Sequence, residues 1–228
     1  APQFITITSL VKKKTNAELV FICHNAIEHE SSRWKIKATK TVLKRADRIL
    51  THSKQETKRL QEILGNHAKV TTAFHPSYAP LCGEVPAADE AKKRLGLKGK
   101  VLLFFGFVRE YKGLDILLQA MPEVLKHEGA TLLVVGEFWK DKEKYMQLIQ
   151  DLGISDSVRV VDSYVPNEEI GQYFAAADLV VQPYRSASGS GICQLAYGFG
   201  KPVIATDVGS LGEVVQDRRN GRLVRAED

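Results

Sequence analysis

Cysteine is scarce in this chain of 228 residues. Cys23, Cys82 and Cys193 are an odd number, far apart and without a Cys-x-x-Cys pair. That excludes a disulfide scaffold and a zinc ribbon and fits a reducing compartment, the cytoplasm. Long apolar runs are missing as well. None approaches the roughly 18 residues that cross a bilayer as a helix, which excludes a transmembrane helical protein. There is no Gly-x-Gly-x-x-Gly and no P-loop. The chain opens on Ala1-Pro2-Gln3-Phe4, with no initiator Met and no signal-peptide pattern. It is therefore expected to have lost its start or to be a fragment. What is there is an ordinary globular composition, 44% hydrophobic and 26% charged. It is enough chain for one large domain or two small ones, with a core that needs no staples.

Charge of one sign is short in each half. Residues 1–97 hold 17 Lys and Arg against 9 Asp and Glu, a net of +8, and residues 98–228 hold 15 against 18, a net of −3. The asymmetry points to two modules with different partners. The basic half suits nucleic acid, an anionic membrane or a phosphorylated substrate. Nucleic acid is the weakest of the three, because zinc-finger spacing and Arg/Gly/aromatic interleaving are absent. At 100° per residue, Arg33, Lys37, Lys40, Lys44 and Arg48 form one stripe of a helix predicted over 33–48, with Ala38, Val42, Ala46 and Ile49 roughly opposite. That stripe reads either as a solvated face or as a surface for acidic lipid headgroups. The sequence does not separate the two.

Along the chain, short β-branched runs alternate with helical periods. Strands are predicted at 18–23, 48–51, 69–74, 101–105, 131–135, 158–161, 178–183, 202–206 and 223–224. Helices are predicted at 54–64, 113–126, 142–152, 167–177 with Asn167 as the cap, and 191–199. Such alternation implies right-handed βαβ units, a parallel sheet and a doubly wound α/β fold. The proline-rich stretch 77–97 reads as a linker. The expected domains are a partial N-terminal one over 1–80, a linker over 81–97 and a C-terminal one over 98–228.

Ligands of open parallel sheets bind beyond the carboxyl ends of the strands. Four such turns in the second module carry suggestive residues. Gly106 to Gly113 places Arg109 and Lys112 three residues apart, a fork and a point charge suited to a diphosphate. Arg185 to Gly191 is a run of small residues entering a helix, where Ser190 and Gly191 offer backbone N–H groups to an anion. Thr206 to Glu213 ends on a carboxylate that either accepts from a sugar hydroxyl or caps its own helix. Gly136-Glu137-Phe138-Trp139 adds aromatics to the rim. In the first module His24 and Asn25 close a strand, with His29 and Glu30 following. His24 and His29 do not have a metal-ligand spacing, so no metal is expected.

Gly106-Phe107-Val108-Arg109-Glu110-Tyr111-Lys112-Gly113-Leu114-Asp115 resembles the phosphate loop of family 4 glycosyltransferases. So do the run from Ser186 to Tyr197, Lys201 to Gly209, and Asn220-Gly221-Arg222-Leu223-Val224. His24 falls where that family keeps a histidine. The resemblance implies a GT-B fold, two Rossmann-like doubly wound parallel-sheet domains, the N-terminal one incomplete. It implies a retaining transfer of a sugar from a UDP- or GDP-sugar, with front-face attack and no required cofactor or metal. Arg109, Lys112, Ser190 and Gly191 would hold the diphosphate. Gly106, Glu137, Gln194 and Glu213 would meet the nucleotide or sugar, and His24 the transferred sugar. The implied partners are the nucleotide-sugar donor and a glycan or lipid-linked acceptor; the basic stripe adds the inner face of the membrane as an expected contact, and composition speaks against nucleic acid.

Two departures from the family pattern stand out. The pair of acids that the family carries around the Ser/Gly loop falls on Ala187 and Leu195, with Gln194 the nearest polar substitute. The opening strand, a glycine-rich loop and the last helices are also expected to be missing. The alternatives are a non-catalytic nucleotide-sugar binding fragment and a GT-B-like epimerase.

Overall fold

A computed structural model describes residues 2–24, 33–65, 69–73, 75–76, 78 and 85–227. The chain divides into two compact units, Ala1–His75 and Pro76–Asp228. Each has its own parallel sheet.

The first unit runs α1 (Pro2–Lys14), β1 (Val20–Cys23), α2 (Arg33–Leu43), β2 (Arg48–Thr51), α3 (Lys54–Leu64) and β3 (Val70–Thr72). The strands lie in the order β1-β2-β3, with Cys23 opposite Thr51 and Thr51 opposite Thr72. Leu43, Ile49, Leu60 and Leu64 form the core. The start of α3 is set by Ser53, whose hydroxyl accepts the Glu56 N–H at 3.1 Å. A chain of hydroxyls, Thr51 to Thr57 at 2.5 Å and Thr57 to Thr72 at 2.6 Å, ties α3 to the carboxyl ends of β2 and β3.

One element lies where the sequence reading assigned none, and one reading changes. The stretch 2–14 carries Ile5, Thr6, Ile7 and Thr8, β-branched residues that favour strands, yet it is a helix. Its hydroxyls are satisfied internally, Thr8 donating to the Phe4 carbonyl and Ser9 to the Ile5 carbonyl, both at 2.7 Å. Lys12 anchors the helix end by pairing with Asp47, which also accepts the Leu19 N–H at 2.7 Å. The basic helix expected over 33–48 stops at Leu43. Arg48 opens β2 and pairs with Glu18 at 2.7 Å, so it does not belong to the helical stripe, and Ile49 is buried as a strand residue.

The second unit comprises α4 (Ala88–Arg94), β4 (Lys100–Phe105), α5 (Leu114–His127), β5 (Ala130–Val135), α6 (Lys142–Asp151), β6 (Val158–Val161), α7 (Asn167–Ala176), β7 (Leu179–Gln182), α8 (Gly191–Gly198), β8 (Val203–Thr206), α9 (Leu211–Val214) and β9 (Gly221–Val224). All six strands are parallel, in the order β6-β5-β4-β7-β8-β9. Both faces are covered. Val101 and Leu103 of β4 enter one core cluster and Phe104 the other, which is why these strands read as continuous apolar runs.

The short helix at the end of the stretch read as a linker is α4, and it packs into the second unit. Its Ala91 is fully buried, and Lys92 pairs at 2.8 Å with Asp178, whose carboxylate also accepts the Val101 N–H at 2.7 Å. Asn167 is the first residue of α7 rather than its cap; Pro166 occupies the cap position, its carbonyl accepting the Glu169 N–H at 3.0 Å. Among the described residues, no helix is long and apolar enough to cross a membrane.

Candidate functional site at the sheet reversal

The strand order of the second unit reverses between β4 and β7, so the chain leaves those strands in opposite directions and opens a crevice at their carboxyl ends. β4 runs into Gly106, and a single 3-10 turn, Glu110–Lys112, leads to Gly113. Gly113 sits at φ 66°, and a Cβ there would lie 2.0 Å from the Pro183 carbonyl oxygen beyond β7. Only glycine lets the two loops approach so closely. Arg185 locks them together. Its guanidinium forks onto Asp115 at 2.9 and 2.7 Å and donates to the Glu110 carbonyl at 2.9 Å, while its own N–H bonds to the Tyr111 carbonyl at 2.7 Å. That fork holds the Asp115 carboxyl below its ordinary range.

Lys112 is carried inward by this turn and is only 8% exposed. Its Nζ stands 5.8 Å from the centroid of the buried Tyr184 ring. Against Gly106 the fit is close, since a Cβ at that position would lie 3.0 Å from the ammonium. Among the described residues no carboxylate pairs with Lys112. Burial, and then the neighbouring Arg109 charge, push the ammonium down to about 8. Arg109 stacks on Trp139 with its guanidinium carbon 3.6 Å from the ring centroid, and Phe107 meets the same indole edge-on at 5.9 Å.

A cavity of about 250 Å³ opens beside Lys112, with Gly106, Gly136, Glu137, Asn167 and Ile192 among its walls. The structure thus brings together Gly106, Lys112 and Glu137. Ser190 and Gly191 stand at the start of α8, the Ser190 hydroxyl accepting the Ile192 N–H at 3.2 Å, and Ile192 reaches the cavity. Tyr78 lies beside Gly191, its ring 3.5 Å from where a Cβ would be. Arg109, Gln194 and Glu213 are not among the cavity walls. Gln194 is half-buried on α8 and Glu213 half-buried on α9. Leu195 is buried in the core.

In the first unit His24 gathers with His52 and His75, which the sequence reading did not foresee. His29, Glu30 and Asn25 lie outside the described residues. On α2, Lys37 is exposed and Lys40 half-buried; Lys44 follows the helix and is exposed, and the side chain of Arg33 lies outside what is described. Arg185, Asp115 and Tyr184 matter to the site and were not singled out from sequence. Arg185 heads the small-residue run and Asp115 ends the phosphate-loop motif, and that adjacency was the available signal.

Residues 99–228 match the family model described as glycosyl transferases group 1. A D-inositol 3-phosphate glycosyltransferase from Catenulispora acidiphila is 33% identical over 205 residues, which is 85% of this chain and 49% of that protein. Its counterpart in Nocardia farcinica is 30% identical over 199 residues, 83% and 44% of the two chains. The chain therefore spans about half the length of the curated relatives it matches. Among solved structures, HepE of Anabaena in complex with UDP superposes with a TM-score of 0.82 at 21% identity, over 98% of this chain and 62% of that one. Sucrose-phosphate synthase from Thermosynechococcus elongatus gives 0.78 at 21% identity, over 98% and 59%. At such identity the likeness is one of fold. The chain belongs to the glycosyl transferases group 1 family and has the GT-B class of α/β fold.

Proposed function

We propose that this chain serves a glycosyltransferase that moves a sugar from a nucleotide-diphosphate sugar, UDP- or GDP-linked, to a hydroxyl of a glycan or lipid-linked acceptor with retention. One observation carries the reading. Lys112 is a buried cation that no described carboxylate neutralises, placed at the reversal of a parallel sheet beside a second cation, Arg109. A buried charge without a counter-ion is costly, and a diphosphate supplies the missing charge. As the sugar departs, negative charge accumulates on the nucleoside diphosphate. In this reading Lys112 and the amides at Ser190 and Gly191 meet it without reorganising, and Arg109 joins them from its place on Trp139. Gly106 and Glu137, walls of the cavity, serve the nucleotide and sugar in this reading, with Gln194 of α8 and Glu213 of α9 keeping their expected parts. His24 keeps its expected role of contacting the transferred sugar.

The resemblance supports front-face departure, in which the leaving phosphate helps to deprotonate the acceptor. The exposed lysines of the α2 stripe are read as the contact with an anionic membrane face. A second reading, nucleotide-sugar binding without transfer, is favoured by Leu195, buried where the family carries an acid.

A donor panel read by thermal shift tests the site, because a true ligand stabilises by mass action. Lys112→Ala is expected to weaken donor binding roughly 30-fold, the loss of about 2 kcal/mol typical for one partner of a buried charge pair. Arg109→Ala should weaken it less, its guanidinium lying against Trp139 rather than in the cavity wall. Donor binding unchanged in both variants would sink the assignment. Transfer or donor hydrolysis that disappears in His24→Ala decides against the binding-only reading.

A further inference from the structure

The carboxyl end of the first unit's sheet gathers His24, to which the glycosyl-transfer reading gives only a sugar contact, with two histidines that the reading leaves unused. His24 follows β1 directly, His52 follows β2 directly, and His75 follows β3 after two residues. Since the three strands are parallel and adjacent, with Cys23, Thr51 and Thr72 aligned in register, their ends deliver the three imidazoles to one place. Ring centroids are 4.8 Å apart for His24 and His52, 4.7 Å for His52 and His75, and 6.2 Å for His24 and His75. One ring nitrogen from each lies within 4.8 Å of the others.

We propose that His24, His52 and His75 form a binding site for a borderline divalent transition-metal ion of the Zn2+ type. The tautomer of His52 is already set for it. Its Nδ1 lies 3.0 Å from the Ala73 carbonyl oxygen, which only accepts, so Nδ1 carries the proton and Nε2 presents a lone pair. A ligating imidazole ordinarily has its other nitrogen engaged in this way.

The scaffold beneath is braced by the hydroxyl chain from Thr51 through Thr57 to Thr72, which pins β2 and β3 to α3. Zn–N bonds of 2.0–2.1 Å ask for nitrogens about 3.4 Å apart, so the rings close by a little over an ångström through side-chain torsion. His24 is exposed and the other two half-buried, which leaves an entry path and room for water as a fourth ligand. Among the described residues the group contains imidazole alone, with no carboxylate. That selects Zn2+, Ni2+, Co2+ or Cu2+ over Mg2+ and Ca2+. The site stands on the geometry of the first unit alone and does not rest on the transfer reading.

The test uses the full chain without an affinity tag, stripped with a chelator and titrated with Zn2+ by calorimetry and with Co2+ by visible absorption. One ion per chain is expected, with Mg2+ failing to compete. His52→Gln and His75→Gln should each weaken Zn2+ by about tenfold or more, at least the loss that removal of an outer-shell partner brings. His127→Gln, at the exposed end of α5, should leave it unchanged. Circular dichroism of the metal-free variants establishes that they are folded. The wild-type chain gives an independent readout, because only three of its six histidines should show ring-proton NMR signals that move with Zn2+. Absence of stoichiometric binding, equal affinity in all three variants, or shifts confined to other histidines would overturn the proposal.

Discussion

Burial lowers the Lys112 ammonium from an ordinary 10.5 to about 8, and the consequence has a definite sign. Between those pH values the unfolded chain keeps a proton that the native chain has released, so native stability rises with pH across that window. Below about pH 8 the buried charge costs stability, of order 3 kcal/mol at 1.36 kcal/mol per pH unit. Lys112→Met is therefore expected to be more stable than wild type at pH 7, by about 1–3 kcal/mol, with the gap closing as pH approaches 10. Urea unfolding at a series of pH values measures this. A variant less stable at pH 7 would mean that the ammonium has a partner in the native protein. Donor binding should show the opposite trend, weakening as pH rises through about 8. At that pH binding should take up a proton, which calorimetry in buffers of differing ionisation enthalpy detects. Arg109 differs in kind: stacked on an indole, it is positioned by dispersion and the ring quadrupole rather than by an ion pair.

At the scale of elements, the turn between β4 and α5 is the part with least tolerance. Gly113 ends one turn, starts α5 and lies against the Pro183 carbonyl, all at positive φ. Gly113→Ala should destabilise by about 2 kcal/mol or more, since strain and overlap act together. A melting temperature within a degree or so of wild type would contradict the close approach of the two loops. The α2 stripe is the other element with a testable role. Lys37 on α2 and Lys44 just beyond it are exposed, and Trp34 on α2 is 61% exposed. Each basic residue near an anionic surface contributes about 1 kcal/mol, screened by salt. Lys37→Glu with Lys44→Glu should release the chain from anionic vesicles, as high salt should. Equal retention on neutral and anionic vesicles would count against any membrane role.

Over the whole molecule, a nucleotide at the sheet reversal should leave a localised footprint. Hydrogen exchange with and without UDP-sugar or GDP-sugar is expected to slow at 106–113 and 185–192 and to leave 20–23 and 48–51 unchanged. Protection centred on the first unit would relocate the site. The architecture was legible where strands are buried on both faces: β4 and β5 read as apolar runs and were found within one residue of expectation. It was not read at all in α1, where β-branched residues run against a helical period and the sequence assigned no element. Arg48 was misplaced because a 100° stripe continues on paper past the point where the chain leaves the helix. The glycine-bounded turn after β4 was legible because glycine spacing is local. The burial of Lys112 was not, since it depends on Tyr184 and Pro183 arriving from a distant strand.

Local chemistry thus settled the alternation of strands and helices, the glycine-bounded turns and the family resemblance, because periodicity and turn preference act over a few residues. Register and strand order settled the rest: that Lys112 faces inward beside a cavity while Arg109 lies on Trp139, that Arg185 clamps Asp115, and that three histidines far apart in the chain share one end of a sheet. These are distances between segments, and no window of sequence contains them.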